Sequence, residues 1–87
     1  MKIKKGFAKR NIAGSEIVVP IGKKAKEFNG MITLNDSGSF LWDCFTRGAE
    51  IDEAVKALTD EYDVDEPTAR KDVEAFAKML KDNGLTE

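Results

Sequence analysis

Cys44 is the one thiol in a chain of 87 residues that holds no histidine. Without an imidazole or a second thiol there is no zinc cluster, no thiol–imidazole nucleophile, no serine triad and no disulfide within the monomer. A lone cysteine on the apolar side of a helix acts as a small hydrophobe. The acidic run Asp60, Glu61, Asp63, Asp65 and Glu66 has the donor atoms for a divalent ion. It lacks the glycine and the fixed ligand spacing of a calcium loop, so it reads as capping and solvation. Trp42 offers a face for stacking, but it stands three residues before Phe45 on an amphipathic stretch and is assigned to the core. Gly6, Gly14, Gly22 and Gly30 do not cluster before a helix and make no phosphate cradle. No catalytic residue, metal or cofactor is predicted, and the recognition chemistry falls to the backbone.

The backbone that could supply it lies in residues 28–45, FNGMITLNDSGSFLWDCF, where the apolar period changes. Phe28, Gly30, Ile32 and Leu34 share the parity of a strand with one buried face. From Phe40 onward, Leu41, Trp42, Cys44 and Phe45 follow helical spacing. Asn35 or Asp36 stands at the junction, where a short polar side chain accepts from the first free helix amides. The strand is the last of the β part, which places it at a sheet edge. Unpaired amides and carbonyls there can accept a peptide as a further strand.

Two strands precede it. Phe7–Ala13 and Glu16–Ile21 flank Gly14-Ser15, which fits a type II′ hairpin with Gly14 at the first central position. Ile17, Val19 and Ile21 alternate and are assigned to the buried face, with Pro20 closing regular pairing. Residues 22–27, with Lys23, Lys24 and Lys26, read as a solvated loop.

Three helices follow. The first is expected from Asp36 to Thr46, ending at Gly48, and its weak formers Ser37, Gly38 and Ser39 leave its first turn to tertiary packing. The second spans Ile51 to Tyr62, with Glu50, Asp52 and Glu53 at its positive end. The third is capped by Asp65, admits Pro67 in its first turn and stops at Gly84, with Leu85 folding back on the last turn. Its apolar stripe is Ala69, Val73, Phe76, Ala77 and Leu80. The expected fold class is α+β, a three-stranded antiparallel sheet followed by three helices, as one domain over residues 1–87.

Charge is divided along the chain. Residues 1–34 carry eight Lys or Arg against Glu16 and Glu27, net +6; residues 35–87 carry six against fourteen acids, net −8, which together give −2. Such an asymmetry favours partner choice by electrostatic field. The first ten residues hold Lys2, Lys4, Lys5, Lys9 and Arg10 with no apolar run behind them, which predicts a cytoplasmic protein without a membrane segment.

The ordered set VVPIGKKAKEFNG, MITLND, IDEAVKALTDEYDV and DVEAFAKMLKDNGL resembles the PqqD family. The most specific portions are Leu34-Asn35 followed by Gly38 and Trp42, and Asp72-Val73 followed by Phe76, Leu80 and Gly84-Leu85. The likeness runs from about Phe7 to Leu85. It is to the broader group of peptide-recognition domains that serve ribosomally made, modified peptides, rather than to pyrroloquinoline quinone assembly in particular.

The resemblance implies a winged helix-turn-helix-like domain with no enzymatic activity, as monomer or dimer. It implies binding of a precursor's leader segment and its presentation to a modifying enzyme, often a radical S-adenosylmethionine (SAM) maturase. The leader would add beside the third strand, at Gly30, Met31, Ile32, Thr33 and Leu34, and lie against Arg70, Val73, Glu74, Ala77 and Lys81 of the third helix. Met31 and Thr33, of opposite parity to Ile32 and Leu34, would flank it. The same layout also matches winged-helix DNA-binding regulators. The third helix argues against nucleic acid: Arg70, Lys71, Lys78 and Lys81 stand against five acids between Asp65 and Asp82, net −1.

Overall fold

A computed structural model of the chain describes residues 2–27 and 30–87; Phe28, assigned above to the buried parity of the third strand, lies outside them. The element order is β1 (Phe7–Ile12), β2 (Ser15–Pro20), α1 (Lys24–Glu27), β3 (Ile32–Leu34), α2 (Asp36–Thr46), α3 (Ile51–Glu61) and α4 (Glu66–Asp82). The strands form one antiparallel sheet in the order β1-β2-β3. The three long helices start and stop within a residue or so of where capping and periodicity place them. One element was not expected: α1 is a single helical turn where the lysine-rich loop was read. No helix among the described residues is long and apolar enough to cross a membrane.

The hairpin differs from expectation in its turn. Ile12 pairs with Ser15, so the loop is Ala13-Gly14. Both residues have positive φ, 53° and 86°. That is the signature of a type I′ turn, whose twist matches the flanking strands. The II′ reading failed because it put Ser15 in the loop and Ala13 in the strand, and alanine gives no sequence sign of a left-handed conformation. Ala13 therefore bears conformational strain that asparagine tolerates better. Ala13→Asn is expected to raise stability by about 0.5–1 kcal/mol, read as a higher urea midpoint at unchanged slope; a lower midpoint would refute the turn assignment.

The same register corrects the buried face of β2. The inward residue is Val18, 2% exposed, while Ile17 and Val19 are only half-buried and Ile21 is 44% exposed. In the run Ile17-Val18-Val19 both parities are apolar, so alternation alone cannot choose. Pairing with β3 decides it: Val18 lies opposite Ile32 and Glu16 opposite Leu34. Since Leu34 is buried against the helices, Val18 is drawn to the same side. Ile17 and Val19 then occupy the outer face with Ile12.

The core lies between the inner sheet face and the helices. Phe45, Leu41, Leu58, Leu80, Leu85 and Val73 are its fully buried helix-side members, joined by Trp42, Cys44 and Val55. Burial pushes the Cys44 thiol pKa up, Arg47 partly offsets this and Asp43 adds to it. The helix ends are closed locally. Asn35 Oδ1 accepts from the Gly38 amide at 2.8 Å, and Glu53 accepts from the Glu50 amide at 2.9 Å. Asp65 occupies the cap position of α4, but its side chain makes no capping bond there. At the other end of α4, Leu85 N–H donates to Leu80 at 2.9 Å and Gly84 N–H to Lys81 at 3.0 Å, a Schellman closure that buries Leu85. On the sheet's helix-facing side, Lys9 reaches across to Ser39 at 2.8 Å and Asp43 at 2.9 Å, tying β1 to α2.

Candidate functional site

Among the described residues β3 has a neighbouring strand on one side only. Which backbone groups it leaves open follows from the hairpin. The residues that close a two-residue loop exchange hydrogen bonds, so Ile12 and Ser15 do, and every second pair after them: Arg10 with Ile17, then Ala8 with Val19. The Ile21 amide donating to Gly6 at 2.8 Å continues the same phase. Ile17 and Val19 thus turn their amides and carbonyls toward β1, and Glu16 and Val18 turn theirs toward β3. Their partners Leu34 and Ile32 must face back toward β2. Thr33, between them, points its N–H and C=O away from the sheet, into open space along the edge.

A groove of 580 Å³ runs beside that edge. Thr33 and Leu34 form one wall, the first turn of α2 with Ser37 and Gly38 closes an end, and Asp72, Phe76 and Met79 of α4 form the opposite wall. Gly38 sits where this turn, its cap and α4 meet. A Cβ built there would stand 3.0 Å from Asn35 Oδ1, a tight approach to the capping oxygen, and 3.4 Å from the Phe76 ring, an ordinary contact. Phe76 is itself held from behind, its ring stacked on buried Phe45 at 6.2 Å and 9°. The floor is apolar and fixed, while the edge above it presents unpaired peptide groups, which is the geometry of strand addition.

The predicted site residues divide. Thr33 and Leu34 line the groove, Ile32 is half-buried beside them, and Gly30 and Met31 are exposed just before β3. The helical residues are not brought to it. Val73 is fully buried in the core. Arg70 is held by Asp52 at 2.9 Å and Glu66 at 3.2 Å, pairs that raise its pKa. Ala77 and Lys81 line a separate depression with Lys2, Thr86 and Glu87, and Glu74 is exposed.

The physical reason is that the core stripe of α4 has two flanks. At about 100° per residue, Arg70, Glu74, Ala77 and Lys81 fall some 140–200° from Asp72, with Val73 and Leu80 between. The flank richer in cations, which the sequence favours, lies away from this groove, which opens on the other flank. Phe76 belongs to the core stripe by spacing, and Asp72 and Met79 stand beside it on that second flank. A large aromatic at the margin of a stripe, opposite a helix start built from Ser and Gly, was the available signal. Among the described residues no group of His, Cys, Asp and Glu is placed to hold a metal ion.

The family model for coenzyme PQQ synthesis protein D, PqqD, matches residues 16–85. The chain belongs to the PqqD family. The match takes in β2 through Leu85, and so the whole of the groove. No curated protein sequence matches this chain. Among solved structures, TbiB1 in complex with the TbiA(beta) leader peptide is 26% identical with a TM-score of 0.79, over 100% of this chain and 95% of that one. Lasso peptide synthetase B1 complexed with the leader peptide has the same TM-score at 19% identity, over 99% and 95%, and shows the shared fold. The α+β architecture of sheet followed by helices is thus that of both neighbours.

Proposed function

We propose that this PqqD-family domain is a non-catalytic binder of a precursor's leader segment. The segment adds as a fourth strand on β3 and sends alternate side chains into the groove over Leu34, Phe76 and Met79. The observation that carries this reading is Thr33, whose peptide groups face outward directly above an apolar groove. Its support outside the chain is that a structural neighbour is seen with a leader peptide. The partner that receives the peptide is a modifying enzyme, a radical SAM maturase by the family resemblance. The regulator alternative gains nothing from α4, where Arg70 and Lys78 are engaged by carboxylates of the protein itself.

Titrating isotope-labelled protein with the leader of the precursor encoded beside it tests the site. Amide shifts are expected at Met31 to Leu34, at Gly38 and along 72–79. Shifts confined to residues 22–26 or to α3 would overturn the groove.

A further inference from the structure

We propose that Asp72 makes this groove select a strand that carries a lysine or arginine at a groove-facing position. The inference rests on the groove being a peptide site, and adds what kind of peptide it takes. Asp72 is the one charged side chain among those lining the groove. Several other helical acids are paired on their own helix. Asp60 pairs with Lys56 at 3.1 Å, Glu66 with Arg70 at 3.2 Å and Asp82 with Lys78 at 2.8 Å, each four residues away. Asp72 has Thr68, Ala69, Ala75 and Phe76 at the corresponding positions on its helix, none of them a cation.

Among the described residues Asp72 has no hydrogen bond or ion pair. Arg70, two residues away but on the far flank of the helix, is engaged by Asp52 and Glu66. A strand laid along β3 covers the groove and strips water from around the carboxylate, which makes its interactions stronger and its isolation costlier. A neutral or acidic residue facing it leaves that cost in place. A lysine or arginine converts it into a charge-assisted hydrogen bond.

Strand geometry says where the cation stands. The peptide residue that pairs with Thr33 points to the outer face, and its two chain neighbours point into the groove. A recognised segment therefore alternates, with the basic residue two or four positions from an apolar one that rests on Phe76 and Met79.

The test is selection from a phage-displayed random dodecapeptide library on the full chain, on Asp72→Asn, on Asp72→Lys and on Thr33→Pro. The peptides selected by the wild type are then synthesised with Lys→Gln at the basic position. Wild type is expected to enrich the alternating basic and apolar pattern, and Asp72→Lys to enrich Asp or Glu at the basic position. The Lys→Gln change is expected to weaken binding to wild type about three- to fivefold, and to Asp72→Asn by less than about 1.5-fold. Equal losses on both proteins, or the same basic preference selected by Asp72→Asn, would overturn the role of Asp72 while leaving the groove. Peptides that bind Thr33→Pro as well as wild type, or no enrichment at all, would overturn the groove reading and this inference with it.

Discussion

Thr33→Pro is expected to lower affinity for the leader segment roughly ten- to a hundredfold while leaving the domain folded. The threonine amide is the donor that faces out from the middle of β3, and proline has none. Losing the bond removes about 0.5–1.5 kcal/mol, and the peptide carbonyl it served is left unsatisfied in a covered site at about 1–3 kcal/mol. The lower halves of the two ranges together, about 1.5–3 kcal/mol, correspond to the stated range in Kd. The fold survives because proline is accepted on an edge strand where its nitrogen faces away from the neighbouring strand. Thr33→Ala is the control: it keeps the amide and alters an exposed side chain, so affinity should stay within about threefold. Fluorescence anisotropy of a labelled leader gives the affinities, and thermal denaturation by circular dichroism checks the fold. An unchanged Kd for Thr33→Pro, or an equal loss in Thr33→Ala, would show that the backbone of β3 is not the docking edge.

An open edge is normally a hazard, because it invites other copies to pair. β3 limits the hazard by its length. With three residues it offers one outward-facing peptide unit at its centre, which is too little to hold a partner by backbone bonds alone. In the proposed mode the remaining affinity and the selectivity come from side chains in the groove, with Phe76 and Met79 for apolar contact and Asp72 for charge.

Local chemistry made the helices legible. Asn35, Gly48, Gly84 and Leu85 act as their types and positions predict, and the α2 boundaries follow from them. The parity of β3 was legible in Ile32 and Leu34, but its extent was not: Gly30, assigned to the same strand, lies before it and is exposed. Where two answers are equally apolar, sequence pattern does not choose. The run Ile17-Val18-Val19 offers both faces to the core, and only the register with β3 selects Val18. The turn at Ala13 is a case where tertiary twist overrides residue preference. The separation of the helical candidates from the groove has the same origin. α4 has a polar flank on each side of its apolar stripe, and which one meets the sheet depends on how the helix rolls in the assembled core. That roll is set by contacts far apart in the chain, such as Phe76 on Phe45 and on the α2 turn at Gly38.

Those contacts make Phe45 the residue on which stability and site depend together. Phe45→Ala is expected to cost about 3–5 kcal/mol, through lost burial and the cavity left behind. Phe45 is fully buried, and its ring backs the groove wall through the stack on Phe76 at 6.2 Å. Single domains have only about 5–15 kcal/mol in total, and a small core sits toward the lower end. At this size each kcal/mol moves Tm by roughly 4–8 °C, so a fall of about 12–40 °C is expected. Phe76→Ala separates the two roles. Its ring is half-buried, so truncation should cost less than at Phe45, yet it removes the groove floor and should weaken leader binding in protein that is still folded. Thermal and urea denaturation of both variants, with anisotropy on Phe76→Ala at a temperature where it is native, give the comparison. A Phe45→Ala protein melting within about 5 °C of wild type would remove Phe45 from the core. A folded Phe76→Ala protein with full affinity would show that the peptide does not rest on that ring.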